Sequence, residues 1–237
     1  MIPLSVVIPV LNEASQLPET VRHARAVPEV REIIVVDGGS ADRTVAIAGQ
    51  LGCRCLAAPA SRGGQLRIGA GKACGEVVIL LHADTWLPEE AGRAIMDCLE
   101  DPVVVGGGFW KMFRERHLIN AGSRWRSPLL FFLGGPILGD QAIFVRRAAL
   151  EKIGGVPDMA LMEEFELCRR LRRVGRLKLA RATVSTSMRR FAKHGVVRTY
   201  LRMGWTMLNY FLGVPPEALL RQYERRKGAA ERVQRQL

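Results

Sequence analysis

Three short apolar segments in the first half of the chain have the pattern of buried parallel strands. They are rich in β-branched types, lack polar alternation and are too short for helices; they comprise residues 5–9, 32–36 and 77–81. Amphipathic patterns that predict helices lie between them, at residues 17–26, 42–51 and 65–73. This alternation predicts an α/β fold with a mostly parallel central sheet flanked by helices. The loops that follow parallel strands share one edge of the sheet, so polar residues there are the first candidates for a ligand site.

The second half of the chain has a weaker pattern. It predicts helices at residues 89–99, 162–174 and 196–212 and a strand at residues 141–145. The stretch between the first helix and that strand mixes glycines with aromatic and basic side chains. We expect one domain over residues 1–195 and a basic helical appendage over residues 196–237.

The composition changes this picture mainly through charge. Apolar types make up 48% of the 237 residues and charged types 24%, which excludes a disordered or fibrous protein. The net charge of +12 is uneven: residues 1–168 carry 17 Lys and Arg against 20 Asp and Glu, whereas residues 169–237 carry 18 against 3. The basic excess therefore belongs to the last third of the chain.

Cysteine usage and hydropathy indicate the compartment. The five cysteines form no C-x-x-C pair, so we expect neither a disulfide framework nor a zinc ribbon, and a reducing environment. The first strand begins almost at once, without a basic leader, and no stretch of about 20 apolar residues lacks a charge. We expect no signal peptide and no spanning helix, hence a cytoplasmic protein.

Polar residues follow the second and third predicted strands directly. Asp37 precedes two glycines and Ser40, a pattern that suits a base or a ribose because the carboxylate accepts hydrogen bonds while the glycines admit the ligand. Helix capping is the competing interpretation, but Ser40 or Asp42 would serve it.

In an extended segment His82 and Asp84 would point the same way and converge on Mg²⁺ or Mn²⁺ bound mainly through a ligand's diphosphate.

Two adjacent acids, Glu163 and Glu164, begin the predicted helix at 162–174. Acids in a first turn commonly serve the helix dipole alone, and Glu166 has Arg169 and Arg170 within one turn for pairing. The preceding Gly-Gly-Val-Pro loop raises the functional interpretation, because such a loop can bring the helix start back beneath the sheet edge.

Taken in order, these motifs resemble the family 2 glycosyltransferases with the GT-A fold. The similar segments are SVVIPVLNEA, VVDGGSADRT, RGGQLRIGAGKACGEVVILLHADT, GDQAIFVRR and GGVPDMALMEEFELCRRL, which together span about residues 4–191. Within that family the chain is most similar to a small bacterial subgroup described as radical-SAM or selenodomain-associated transferases, some of them linked to arsenosugar synthesis.

The resemblance implies a role for each matching residue. A nucleotide would be held by the loops after the strands, with Asp37 on the base; the residues are Pro9, Asn12, Glu13, Asp37, Gly38, Ser40, Arg62 and Ala83. Asp84 matches the last acid of the family's metal-binding D-x-D motif, and His82 stands where the first Asp would be. Glu164 matches the catalytic Asp, and the implied catalytic set also includes Glu163 and Asp140. Arg189 and Arg190, followed by Phe191, resemble the segment that closes over the diphosphate.

These roles imply inverting, metal-assisted transfer of a sugar from a nucleotide-diphosphate sugar to a hydroxyl acceptor, with Glu164 as base. Two alternatives remain. The VDGGS turn also suits an S-adenosylmethionine-dependent methyltransferase, which leaves the two acidic motifs without a role. A basic module that binds nucleic acid or a membrane surface is the other, although the slightly acidic main body argues against nucleic acid.

The helix predicted at 196–212 combines bulky apolar residues with Arg198 and Arg202. Such a helix either packs its apolar face on the domain or lies on an anionic membrane surface, which would make the protein peripheral at the inner face of the membrane.

Overall fold

The computed structural model describes residues 2–115, 123–159, 161–189, 191 and 195–221. Its first half alternates strand and helix as predicted, with β1 (Leu4–Val10), α1 (Leu17–Arg25), β2 (Val30–Asp37), α2 (Thr44–Gln50), β3 (Arg54–Ala57), α3 (Arg62–Gly71) and β4 (Val77–Leu80). These four strands are parallel. The prediction of buried parallel strands is confirmed, and β3 is an additional strand.

The second half completes a sheet of eight strands in the order β3-β2-β1-β4-β7-β6-β8-β5. Its elements are β5 (Thr85–Trp86), α4 (Ala91–Leu99), β6 (Val104–Phe113), α5 (Ser123–Phe132), a 3₁₀ turn (Gly139–Gln141), β7 (Ile143–Arg146), α6 (Arg147–Lys152), α7 (Glu163–Leu171), β8 (Arg176–Thr186) and α8 (Val196–Phe211). Strands β7 and β5 run antiparallel to their neighbours, while β6 and β8 pair in parallel. The sheet is mostly parallel, as expected.

Helices cover both faces of this sheet, which explains the continuous apolar runs of its strands. Alternate residues of β1 enter opposite cores: Val6 packs in the core that includes α1 and α4, and Val7 in the core that includes α3 and α7. Within the described residues no helix has the length and apolarity that crossing a bilayer requires. All five cysteines are free thiols, in line with the expectation of no disulfide framework.

Helix α3 fixes the sheet edge at which β1 and β2 end. A side chain at Gly69 would collide with Val7 and Val36, so glycine allows this helix to lie directly on the two strands. Gln65, one turn earlier, donates from Nε2 to the carbonyls of Val10 and Val36 at 2.9 and 2.8 Å. The ends of β1 and β2, and therefore their loops, are held in one place.

Candidate active site

The loops after β1 and β2 are joined by hydrogen bonds. The backbone N–H of Asn12 donates to Ser40 Oγ at 2.9 Å, and Asn12 Oδ1 accepts from the Ala41 N–H at 2.8 Å. The Glu13 N–H donates to Thr44 Oγ1 at 2.8 Å. Asn12 adopts φ = 57°, a left-handed conformation that asparagine tolerates better than most residues. The structure therefore brings Asn12, Glu13 and Ser40 together, as their predicted common role requires.

Asp37 has a structural role within its own turn. Its carboxylate accepts from the N–H groups of Gly39 and Ser40, at 2.9 and 3.0 Å, and from the Ser40 hydroxyl. Asp42, in turn, accepts from the Thr44 N–H at the start of α2. Because a carboxylate offers about four lone-pair sites, these bonds leave capacity for a ligand. The nucleotide role of Asp37 stays a prediction.

A cavity of about 300 Å³ lies beyond the ends of β4 and β8. Its polar lining comes from segments that are distant in sequence, and comprises Arg62, His82, Asp84, Asp140, Glu164, Thr186, Ser187 and Thr206. Its apolar lining includes Phe113, Leu138, Phe165, Phe191, Met203 and Met207. Arg62 thus shares one cavity with four of the residues predicted for catalysis or metal binding, which are His82, Asp84, Asp140 and Glu164.

Arg62 connects the start of α3 to the start of α7. Its Nη2 lies 3.1 and 3.0 Å from the two Glu164 oxygens, its Nε contacts Glu163 Oε1, and its Nη1 lies 3.4 Å from His82 Nε2. The family resemblance placed Arg62 near the nucleotide, and that contact stays a prediction. In the structure its guanidinium lies between the two predicted catalytic acids.

The loop before α7 brings these acids to Arg62. Gly154 and Gly155 adopt φ of 80° and 85°, a region that favours glycine, and Arg67 Nη1 donates to the carbonyls of Gly154 and Val156 at 3.0 Å. The backbone of Met159 packs so closely on Gly63 that no side chain would fit there. The expectation that this loop returns the helix start beneath the sheet edge is confirmed.

The two acids have different protonation chemistry. Burial raises the pKa of Glu163 to about 7, helped by the Glu164 charge and opposed by Arg62. Burial also works against ionisation of Glu164, but Arg62 outweighs it and the pKa lies below the usual value. Glu163 does not line the cavity, and its Oε2 is buried with no hydrogen-bond partner in the described part of the protein. Glu164 is therefore the acid that is ionised at neutral pH and faces the cavity.

Glu166, the third acid of this turn, is a structural residue. It forms ion pairs with Arg169 and Arg170, both at 2.7 Å, and the hydrogen bond from Arg169 is the main cause of its lowered pKa. The pairing proposed from the sequence is confirmed.

His82 and Asp84 occupy a turn and not the extended segment that their predicted convergence assumed. The Thr85 N–H donates to the His82 carbonyl at 3.1 Å, which closes the turn, so that premise is wrong. Both side chains nevertheless line the cavity. Burial and the nearby Arg62 lower the pKa of His82 to about 4, so the imidazole is neutral.

These residues fit a cation that a ligand brings with it. In the described ranges no three acidic, His or Cys side chains form a group able to hold a metal, and the Asp84 carboxylate accepts no hydrogen bond there. One carboxylate beside a neutral imidazole suits Mg²⁺ or Mn²⁺ bound mostly through phosphate oxygens. A preformed site in which protein side chains alone hold the cation does not fit these residues.

Asp140 and Lys111 form a pair that the sequence did not reveal. Lys111 Nζ lies 2.5 Å from Asp140 Oδ2, and the lysine side chain is only 7% exposed. The other oxygen of Asp140 is buried without a hydrogen-bond partner among the described residues. The neighbouring Gly139 packs against His82 so closely that a methyl group would overlap the ring, 3.5 Å from Glu164 Oε1.

Two further arginines act near the cavity. Arg189 Nη2 pairs with both oxygens of Glu13, at 2.7 and 2.8 Å, so a predicted diphosphate residue and a predicted nucleotide residue meet each other. Arg190 lies outside the described residues.

Arg114, which the sequence did not single out, donates to the Asp84 carbonyl at 2.9 Å and stacks 3.8 Å above the Trp86 ring. It holds the Asp84 turn in place.

Helix α8 forms part of the cavity wall through Met203, Thr206 and Met207. The sequence assigned this helix to an appendage beyond residue 195. That boundary stays a prediction, but the cavity includes residues from both sides of it.

Residues 5–151 match the profile of Glycosyl transferase family 2. The chain belongs to this family. Membership of this family argues against both alternatives left open by the sequence, a methyltransferase and a binding module without catalysis.

One curated relative is the undecaprenyl-phosphate 4-deoxy-4-formamido-L-arabinose transferase of Pseudomonas paraeruginosa (strain DSM 24068 / PA7), 36% identical over 140 residues. The match covers 54% of this chain and 40% of the relative, so the chain spans less than half of that protein's length.

Solved structures support a GT-A-type glycosyltransferase fold. The mannosyltransferase PcManGT from Pyrobaculum calidifontis, in complex with GDP-Man and Mn²⁺, matches with a TM-score of 0.63 at 18% identity, over 86% of this chain and 61% of that one. S. aureus TarS residues 1–349, in complex with UDP-GlcNAc, match with a TM-score of 0.62 at 16% identity, over 79% and 59% of the two chains. At such identities the likeness concerns the fold alone.

Proposed function

We propose that this glycosyltransferase moves a sugar from a nucleotide-diphosphate sugar to an acceptor hydroxyl, with inversion at the anomeric carbon. The observation that carries the proposal is the position of Glu164, an ionised carboxylate that lines the same cavity as Asp84 and His82. Nucleotide sugars occupy two proteins of the same fold, UDP-GlcNAc in TarS and GDP-Man in PcManGT, which supports the donor class.

The donor would lie across the ends of β1, β2 and β4. The joined loops that contain Asn12, Glu13 and Ser40 would hold the nucleoside, with Asp37 on the base. Asp84, with His82 beside it, would hold a divalent cation, which when bound offsets the negative charge of the diphosphate. Arg189 would release Glu13 and turn to the same phosphates, since an arginine fork pairs equally well with either anion.

Glu164 would take the proton from the acceptor hydroxyl while the acceptor oxygen bonds to the anomeric carbon and the nucleoside diphosphate leaves with its bonding electrons. A single base opposite the leaving group places attack on the far face of the sugar, which gives inversion. Arg62 positions Glu164 and keeps it ionised, and the protonated form of Glu163 limits the negative charge at this site.

The finer assignments follow from the sequence motifs and the cysteines. We place the chain in the radical-SAM or selenodomain-associated subgroup on its motif order, and in the cytoplasm because five free thiols suit a reducing compartment.

The test of the base is a matched pair of isosteric variants. Glu164→Gln removes the basicity at constant size, so we expect transfer to fall by ~10² to 10⁴-fold while donor binding persists. Glu163→Gln changes the neighbouring carboxyl, which does not line the cavity, and should be milder. Transfer would be measured with radiolabelled donor and the product anomer read by NMR. Equal rates for Glu164→Gln and the wild type, or a product that retains the donor's configuration, would contradict the proposal.

The donor class is tested by thermal-shift screening with UDP, GDP, dTDP and CDP in the presence of Mn²⁺. One of these should raise the melting temperature and S-adenosylmethionine should not. The absence of a response to every nucleotide would contradict the donor assignment without bearing on the family.

A further inference from the structure

Helix α8 presents a continuous apolar face to solvent. Its members follow one another at spacings of three and four residues, the repeat of a single helix face, and are Val197, Leu201, Trp205, Leu208, Phe211 and Leu212 at the helix end. Each is between 49% and 73% exposed. Large apolar side chains normally point inward, so an exposed contiguous set indicates a surface that binds something.

The opposite face of the same helix is already used. Thr199 and Thr206 are buried, Met203 and Met207 line the cavity, and Tyr210 packs against Phe165 with ring centroids 5.8 Å apart. Helix α8 is therefore held on the domain by its smaller and more polar side. Phe211, at the border of the outward set, also reaches Phe165, with ring centroids 6.0 Å apart. About half or more of each of the larger apolar side chains nevertheless remains exposed.

The segment of sequence that includes this helix is strongly basic. Residues 167–216 contain twelve Lys and Arg and no Asp or Glu. Arg198 is exposed. It lies about two turns before Trp205, so the two residues are neighbours around the helix axis, and Arg198 is at the border of the apolar face. Apolar side chains bordered by arginine on a helix that lies flat on its domain are the combination that inserts into the headgroup region of an anionic bilayer.

We propose that the outward face of α8 docks this protein on an anionic lipid surface. A second copy of the chain is a poorer occupant, because two-fold pairing of α8 would bring arginines against arginines with no acidic side chain on the helix to offset them. Because α8 is also a wall of the cavity, docking would place the cavity within about one helix diameter, ~10 Å, of the lipid headgroups.

The test is flotation of the full chain with vesicles of equal parts phosphatidylglycerol and phosphatidylcholine, without donor. We expect the protein to float at low salt and to be released as salt rises. Leu201→Ser and Leu208→Ser should each lower the partition coefficient by about tenfold, because each removes one apolar side chain from the lipid contact. The matched control is Val103→Ser. Val103 is as exposed as Leu208 and lies just before β6, at the end of that strand opposite to Phe113.

A second readout keeps the test independent of protein yield. Trp205 fluorescence should shift to the blue on vesicle addition and be quenched by brominated acyl chains, and Trp205→Phe should lose that response. Flotation unchanged by the leucine variants, or equal flotation with pure phosphatidylcholine, would overturn the proposal. A wild-type dimer in light scattering that the leucine variants convert to a monomer would overturn it in favour of self-association. Since no donor is used, these outcomes are independent of the proposed chemistry.

Discussion

Replacement of Arg62 by methionine tests the electrostatic account of the cavity most directly. Arg62→Met keeps most of the side-chain stem but removes the one guanidinium that pairs with both Glu163 and Glu164, whose side chains are only 3% and 13% exposed. We expect the variant to fold with a stability that depends steeply on pH, because Glu164 then has no such partner and must take up a proton instead, whereas the pKa of Glu163 is about 7 already in the wild type.

The magnitude follows from the cost of that protonation. An acid with an ordinary pKa of 4.5 costs about 5 kcal/mol to protonate near pH ~8 and under ~1 kcal/mol near pH ~5. Breaking a buried ion pair typically costs about 3–5 kcal/mol, which agrees with the higher value. In the variant the folded-state pKa is raised, so the folded protein binds more protons than the unfolded chain. Its free energy of unfolding should therefore fall as pH rises from about 4.5 through the folded-state pKa.

The assay is urea unfolding of the wild type and the variant at several pH values. The control is Arg67→Met, one turn along α3, whose guanidinium bonds to backbone carbonyls and not to acids, so its effect should be small and independent of pH. Adding Glu163→Gln to Arg62→Met should recover part of the loss near pH ~8, since one buried charge is then absent. A loss of the same size at all pH values would refute the reasoning.

Two further substitutions probe the cavity itself. Gly139→Ala places a methyl group into the His82 ring, so we expect a loss of about 1–3 kcal/mol in the free energy of unfolding and slower transfer; wild-type stability by urea unfolding would show that the ring yields freely. Asp84→Ala removes the carboxylate that we propose to meet a donor-bound cation, so affinity for a nucleoside diphosphate should drop about ten- to hundredfold. Calorimetry that finds the same affinity and the same EDTA sensitivity as the wild type would contradict that role.

The sequence predicted the first half of the fold because that half is built locally. Strands β1, β2 and β4 are buried on both faces, so their composition alone identifies them, and the helices between them have clear patterns. Strand β6 was missed because Gly106 and Gly107 weaken the strand pattern. In the structure these glycines lie where the backbones of Phe144 and Lys178 leave no space for a side chain, a reason that depends on neighbours distant in the chain.

The residues of the candidate site also fall into two groups: those that local sequence identifies, and those whose contacts are distant in the chain. Asp37 ends a strand, and a rule about strand ends found it, whereas Asn12 and Ser40 were assigned through the family resemblance. Lys111 was not found, because a lysine in an aromatic and basic stretch gives no sign that it is buried against Asp140 until β6 and the turn before β7 are packed together. The contacts of Arg62 with Glu163 and Glu164 were not found for the same reason: these partners are about a hundred residues away.

Two parts of the site differ in how they are held, and this difference affects which substitutions could alter the choice of acceptor. The nucleotide loops are held from within by Gln65 and by their own hydrogen bonds, so they are a fixed unit. Side chains of α8, among them Met203 and Met207, form another part of the cavity wall. In the proposed arrangement, substitutions on the inner face of α8 would reshape the acceptor side and leave the hydrogen bonds that hold the donor loops in place. If the outer face of the same helix docks on lipid as proposed, one helix would couple the shape of the cavity to the surface on which the protein lies.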